Sequence, residues 1–444
     1  MPIGIRTIAP YGEGVTDDPS RRHRKPGVAT DGPAPPSAPG DGDQASAVLL
    51  TAPRDGTPTP VTTVAQLAAA TERLAAGQGP VAVDAERASG YRYTHRAYLV
   101  QLRRTGSGTV LIDPVPFDDL RGLARAIAGT EWVLHAASQD LPCLAELGLL
   151  PTRLFDTELA ARLAGFERVG LAALTETLLG YALEKHHSAA DWSTRPLPES
   201  WLAYAALDVE LLLDLRNLLA EDLDRQGKLD WAREEFAALV AGAGRPPRAR
   251  PDPWRRTSGI HRVRGARALS RVRALWYARD QVAARRDTSP GRVLADAAII
   301  AAAESDPHDD RALAALTGFS GRSVRRLAQV WLDALAKARA AADTELPSTP
   351  VSDGPPPPHR WAERDPVAAA RLRRSREVVT SLAGTHLVPP ENLLAPDCVR
   401  RVAWSPPEPA TPDAVARMLT DLGARDWQIR LTAEGLAAAA KPEA

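Results

Sequence analysis

The stretch Val81-Ala82-Val83-Asp84-Ala85-Glu86 constrains this chain most. It reads as a short buried strand ending in two carboxylates. Residues i and i+2 of a strand share a face, so Asp84 and Glu86 are expected to project together from the end of a sheet. Like charges held that close repel each other, and a bound cation relieves the repulsion. Hard cations such as Mg²⁺ and Mn²⁺ take oxygen ligands of this kind. Taken alone, such a fragment is more often a strand end with solvated acids. Its weight comes from Asp140, Tyr204 and Asp208 farther along the chain.

Around this strand, residues 46–242 read as an α/β domain. A helix is expected over Val64–Leu74 and strands over Ala97–Leu102 and Thr109–Asp113, joined at the Gly106-Ser107-Gly108 turn. A helix from Phe117 to about Ala128 comes next, then strand Trp132–His135. That strand leads into a helix containing Asp140, with Pro142 in its first turn, where a missing N–H is harmless. A brief strand Leu154–Asp156 and a helix through Leu163 complete this part. A hairpin followed by βα units argues for a mixed sheet with helices packed on it. Glu199 to about Leu223 reads as one long helix, with Leu202, Ala206, Val209 and Leu213 on its inner stripe. Tyr204 and Asp208 are four apart and stack one turn from each other.

The rest of the chain changes character. Residues 1–45, rich in Pro, Gly, Asp and Ser, are expected to be a disordered tail. An Arg/Pro linker spans 243–264, a helical domain 265–343, a Pro-rich linker 344–366 that should be extended, and a second helical domain 367–444. The two helical units have similar lengths and break patterns, which suggests a diverged repeat. Arginines crowd Arg245 to Arg286, with Trp254, Trp276 and Tyr277 interleaved and only Asp252 and Asp280 opposing them. Such a run is either a solvated helix face or a phosphate-contacting surface.

Composition excludes several classes. The 444 residues carry zero formal net charge, so no partner can be inferred from the total. The two cysteines, Cys143 and Cys398, are far apart and imply neither a disulfide framework nor a Cys-rich zinc site, which fits a reducing cytoplasm. No apolar run approaches the roughly 20 residues a membrane span needs, and the N-terminus lacks a signal peptide's apolar core. No Walker-type Gly-x-x-x-x-Gly-Lys-Ser/Thr occurs, so no nucleotide-driven motor is expected.

The acids at element ends fall in the order Asp84-x-Glu86, Asp140, Tyr204-x-x-x-Asp208. This order resembles the DEDDy exonucleases, and the chain is most similar to bacterial ribonuclease D. The matching stretches are Asp84–Arg87, Tyr98–Leu102, His135–Leu141, Phe155–Thr157, Asp191–Leu197 and Tyr204–Val209. Beyond residue 250, Trp254-Arg255-Arg256, Trp276–Asp280 and Val293–Asp296 resemble the helicase-and-ribonuclease-D C-terminal (HRDC) domain, and Asp426-Trp427-Gln428 is similar to a more diverged copy. Ala203 stands where the histidine branch would place its histidine, which assigns the chain to the tyrosine branch. The resemblance implies an α/β ribonuclease H-like exonuclease domain followed by all-α HRDC-type domains. It implies a metal-dependent 3′→5′ exoribonuclease acting on RNA with a free 3′ end, such as tRNA precursors. The rivals are a 3′→5′ DNA exonuclease and an inactive nucleic-acid-binding scaffold; the scaffold should have lost at least one of these acids, and all are present.

The resemblance also implies the chemistry. Two Mg²⁺ or Mn²⁺ ions polarise the phosphate, activate a water and stabilise the leaving oxygen. Asp84 would bridge both ions, Glu86 and Asp208 would hold the water-activating ion, and Asp140 would hold the leaving-group ion. Tyr204 would orient the water, because a phenol with a pKa near 10 is a poor base at rest. Substrate contacts are expected, more weakly, from Gln101, Trp192, Arg195, Arg255 and Arg256. His135 reads as a packed core histidine, His186 and His187 as solvated, and Asp156 as a strand-end cap that is not a ligand.

Overall fold

The computed structural model describes residues 47–183, 189–245, 250–348 and 354–441. The expected tail, and His186 and His187, lie outside the described residues. A two-residue pleat forms where apolar and β-branched residues run together. A three-stranded antiparallel group and two parallel strands make one five-stranded mixed sheet in the order β4-β3-β2-β5-β6. Its strands are β2 (Gln78–Arg87), β3 (Ala97–Thr105), β4 (Gly108–Ile112), β5 (Glu131–Leu134) and β6 (Arg153–Asp156). A separate parallel pair joins β1 (Val48–Leu50) to β7 (Tyr181–Leu183).

Helices α1 (Val64–Ala76), α2 (Arg121–Ala126), α3 (Leu141–Glu146), α4 (Thr157–Ala164) and α5 (Leu171–Leu174) pack around the sheet with α6 (Glu199–Glu210), α7 (Leu212–Arg225) and α8 (Leu229–Gly242). A capping box between Thr63 and Gln66 starts α1. The expected helix over 117–128 is confined to α2, because Pro114 and Pro116 precede it and its first turn begins only after Leu120. The single helix expected over 199–223 is broken. Leu211, at φ −107° and ψ 0°, separates α6 from α7. Neither Gly nor Pro marks the break, so the sequence carried no sign of it. The break turns α7 toward β2 and β5, while α6 stays across β2, β3 and β4.

The first helical unit consists of α9 (Ala266–Arg286), α10 (Pro290–Val293), α11 (Asp296–Ser305), α12 (Asp310–Ala314), α13 (Arg322–Arg325) and α14 (Ala328–Ala340). The second comprises α15 (Trp361–Arg364), α16 (Pro366–His386), α17 (Pro390–Leu393), α18 (Pro396–Trp404), α19 (Pro412–Asp421) and α20 (Asp426–Ala440). The long helices α9 and α16 have 21 residues each, and α10 and α17, which follow them, have four each. Both units therefore contain the same long-short rhythm, which in the second follows α15. The stretch 344–366 is not wholly an extended linker. Trp361 is fully buried, donates its indole N–H to the Pro356 carbonyl at 2.7 Å and packs on Trp404. Its large apolar ring draws the end of the Pro-rich run into the second unit's core.

The two units meet the α/β domain differently. The core of the second unit is continuous with that of the sheet domain. Trp231 of α8 stacks on Trp427 of α20 at 4.8 Å with the rings 9° from parallel, and Trp427 donates to Glu235 at 3.1 Å. Gly165, the left-handed cap of α4, lets the Leu387 carbonyl approach so closely that a Cβ there would lie 2.8 Å from it. The first unit keeps its own core and docks on the loop 88–96 between β2 and β3. Tyr93 donates to Asp280, Thr94 donates through N–H and hydroxyl to Asp287, and Ser289 donates to the carbonyls of Gly90 and Tyr91. Arg292 donates to the Gly90 carbonyl and lies over the Tyr91 ring at 4.1 Å.

Trp427→Ala is expected to destabilise the chain by about 3–5 kcal/mol, through the lost indole packing and the lost hydrogen bond to Glu235, which keeps Arg425 as its ion-pair partner. Urea denaturation followed by far-ultraviolet dichroism checks it. An unchanged midpoint would show that α20 is held by other contacts.

Candidate active site

Strand β2 is central in the sheet and is held on both sides. Asp84 pairs with Gln101 and Glu86 with Leu99 across the antiparallel ladder to β3, while Val81 and Ala82 pair with Trp132 and Val133 of β5. The strand period puts Asp84 and Glu86 on one face, and α6 brings Asp208 to them. Carboxylate oxygens of Asp84, Glu86 and Asp208 all lie within 4.8 Å of one another. Tyr204, one turn earlier on α6, hydrogen-bonds the Asp208 carboxylate.

Asp140 arrives by a tighter route. After β5 the chain turns through Ala136, which is left-handed at φ 58°, and through a 3₁₀ turn Ala137–Gln139 into α3. Asp156 fixes that turn. Its carboxylate accepts from the N–H of Ala136 at 3.1 Å and of Ala137 at 2.8 Å. It also caps α4 through the N–H of Glu158 and Leu159. Asp156 is thus the cap expected from the sequence, and it ties the Asp140 turn to the neighbouring strand as well. The Asp140 side chain makes no capping bond; it lies 3.6 Å from the Arg87 guanidinium.

Electrostatics mark the cluster. Burial, only partly offset by a backbone hydrogen bond and by Arg87, pushes Asp84 up to about 6. Burial, then repulsion from Asp84, Asp208 and Asp140, holds Glu86 well above the usual carboxylate range. Burial and Asp84 do the same for Asp140 and Asp208. Arg87 pulls Asp84, Glu86 and Asp140 down and is outweighed at each. Arg87 has no role among the residues expected from sequence; its place beside Glu86 in the matched stretch is the signal that could have found it. A half-buried all-carboxylate donor set, short of positive charge, fits hard divalent cations. His135 is kept neutral, burial lowering it to about 4, and its Nδ1 shares a 2.9 Å hydrogen bond with the Thr157 hydroxyl.

Comparison with known proteins agrees with this geometry. Residues 58–224 match the 3′–5′ exonuclease family, 268–335 the HRDC domain, and 354–440 the 3′ to 5′ exonuclease C-terminal domain. Ribonuclease D of Gluconacetobacter diazotrophicus is 34% identical over 368 residues, covering 80% of this chain and 89% of the relative. The chain belongs to the ribonuclease D family. That of Acidiphilium cryptum is 35% identical over 305 residues, covering 66% and 75%. A crystal structure of a protein from Bifidobacterium adolescentis superposes with a TM-score of 0.82 at 39% identity, covering 89% of this chain and 99% of that one. Escherichia coli RNase D, described as an exoribonuclease involved in structured RNA processing, superposes at 0.62 with 26% identity, covering 82% and 98%. Membership makes this chain a 3′–5′ exoribonuclease with a ribonuclease H-like catalytic domain, and exonuclease domains of this kind use divalent metals.

Of the substrate contacts expected in this ribonuclease D, Gln101 and Trp192 lie inside the protein, Arg195 and Arg255 are partly exposed and engaged by protein groups, and Arg256 is exposed. Gln101 is fully buried rather than facing a channel, and neither end of its amide has a hydrogen-bond partner. Trp192 is also fully buried, packed on Trp201 and near Tyr204. Arg195 grips Asp113 with two nitrogens, at 2.7 and 2.9 Å, and donates to the carbonyls of Tyr98, Trp192 and Thr194. It therefore clamps the loop before α6 onto the sheet. Arg255 lies over Trp254 and bonds Asp252 and the Ser348 carbonyl. The arginine-rich segment is likewise largely committed: Arg267, Arg271 and Arg279 pair with Asp343, Asp306 and Asp296. Among the described residues, the exposed Arg256, Arg285 and Arg286 make no side-chain hydrogen bond or ion pair.

The raised carboxylates give a pH signature. A carboxyl whose folded pKa exceeds its unfolded value binds its proton more tightly in the native state. Its contribution to stability is full at low pH and is lost as pH rises, here from near 3.8 through about 6 for Asp84 and further for its neighbours. His135 acts oppositely between about 4 and 6.5, as one group against these four and Asp156, which burial also raises to about 6. In EDTA the melting temperature should therefore fall between pH 5 and 7. Mn²⁺ should abolish the fall, because a cation replaces the protons, and Asp84→Asn should flatten the EDTA curve. Melting curves that rise with pH in EDTA would contradict the arrangement.

Proposed function

We propose that this exoribonuclease removes nucleotides from the 3′ ends of folded RNAs, tRNA precursors among them, with Mg²⁺ or Mn²⁺ held by Asp84, Glu86, Asp140 and Asp208. The observation that carries the reading is the convergence of Asp84, Glu86 and Asp208 within 4.8 Å, beside a repelling Asp140. When bound, the cations supply Lewis acidity to the scissile phosphate, the attacking water and the leaving oxygen. Asp84, whose charge acts on the other three, is the carboxylate to be shared between two ions. Glu86 and Asp208 serve the water side and Asp140 the leaving-group side.

The chain's own groups do the rest. Burial and the neighbouring carboxylates push the Tyr204 phenol above its ordinary value, so it keeps its proton. It orients the attacking water by hydrogen bonding and does not act as a base. Arg87 steadies Asp140. The exposed Arg256, Arg285 and Arg286 supply phosphate contacts for the body of the RNA, making affinity fall with salt. The shared rhythm of α9–α11 and α16–α18 supports a domain plan of 46–242, 265–343 and, over 367–444, a diverged HRDC copy. A cytoplasmic site of action fits the two buried, unpaired cysteines; among the described residues no helix is long and apolar enough to cross a membrane.

The test is incubation of an end-labelled tRNA with a 3′ extension, and of matched single-stranded DNA, with Mg²⁺, Mn²⁺ or EDTA. Stepwise shortening of the RNA is expected and should stop in EDTA. Asp84→Asn and Asp208→Asn should each lose at least about a thousandfold in rate, several kcal/mol of barrier. Tyr204→Phe should lose about a hundredfold. Shortening of DNA alone would move the substrate to DNA. No shortening of either would leave a nucleic-acid-binding scaffold.

A further inference from the structure

We propose that Gln101 is a positioning residue of the cation site, its side-chain amide donating to the Asp84 carboxylate when that carboxylate holds cations. The inference rests on the reading that the acidic cluster binds divalent ions, and it assigns a role that the ligand set itself does not contain.

A glutamine amide offers two donor hydrogens and an acceptor oxygen. At Gln101 both ends are buried and neither has a partner. A buried, unsatisfied amide destabilises a fold, so its presence calls for a compensating partner in the working state. The sheet register names the candidates. Gln101 lies directly opposite Asp84 on β2 and directly opposite Leu111 on β4. Opposed residues of an antiparallel ladder point to the same face, with Cβ atoms about 4.5–5.5 Å apart. On β3 the flanking positions of that face are Leu99 and Arg103. Leu99 and Leu111 are apolar, and Arg103 is already engaged with Asp55, Thr109 and Glu210. Above this face lies α6, which offers buried Ala205 and Ala206 to the same cluster as Leu99 and Leu111, while its buried Glu210 faces two guanidinium groups, Arg103 at 3.5 Å and Arg54 at 3.6 Å. The polar group opposite Gln101 across the ladder is therefore Asp84.

Coordination sets the direction of the effect. A carboxylate that coordinates cations must present its lone pairs in fixed directions, and a donor behind it sets them. With cations, the amide gains its partner and the carboxylate its orientation. Gln101 thus trades stability of the cation-free chain for affinity in the loaded one.

The experiment uses the full chain stripped with EDTA and compares it with Gln101→Met, which keeps the volume and removes the amide. Mn²⁺ binding is measured without RNA, by titration calorimetry and by the loss of the free Mn²⁺ spin-resonance signal. Melting of the cation-free protein is followed in parallel. Mn²⁺ affinity should weaken about tenfold or more, while the cation-free melting temperature stays level or rises. Affinity within about twofold of the parent, below the tenfold floor usual for such outer partners, overturns the proposal, with or without a change in melting. If the Met variant does not fold, Gln101→Asn, which retains an amide but withdraws it by one methylene, must show the same weakening. A parent chain that binds no Mn²⁺ overturns the cation reading itself, a result distinct from unaltered binding in the variant.

Discussion

Four carboxylates that repel one another are held together in a half-buried cluster, and much of the catalytic domain serves to keep them there. Asp84 and Glu86 cannot swing apart because β2 is paired on both flanks. Asp208 cannot retreat because α6 lies across three strands. Asp140 is fixed by a turn whose two N–H groups are bound to Asp156, itself anchored to the start of α4. The resulting charge is left unneutralised by the protein, since Arg87 is outweighed at each acid it reaches. This is the balance expected of a site that must bind cations reversibly: a chain that paired its own acids fully would leave nothing for a metal to relieve.

The acids were legible because each lies on a short-range period. Asp84 and Glu86 obey the strand repeat, and Tyr204 and Asp208 the helical one. The capping role of Asp156 could be read from its place between a strand and a helix. The features that lay hidden depend on distant partners. Arg195 looked like a substrate contact until Asp113, 82 positions away, was seen to grip it. Arg267 and Arg271 suggested a phosphate surface, but Asp343 and Asp306 lie 76 and 35 positions on. No local pattern reveals such pairs. The division at Leu211 was equally silent, because tertiary packing makes it without a breaking residue.

The two helical units begin alike yet are used differently. One shares its core with the sheet domain through Trp231 and Trp427 and so behaves as part of the same body. The other retains a separate core, against which Tyr93 packs, and is joined by hydrogen bonds to the loop 88–96. Burial of apolar rings gives the first junction its strength; directed hydrogen bonds give the second its register.

That loop connects the two strands bearing Asp84, Glu86 and Gln101, and begins directly after Arg87. The contacts across it are reciprocal in sequence: Thr94 has its acceptor in Asp287, and Tyr93 in Asp280. Loop and helical unit thus form one matched seat, and a helical unit transplanted from another family member will seat correctly only if its matching loop travels with it.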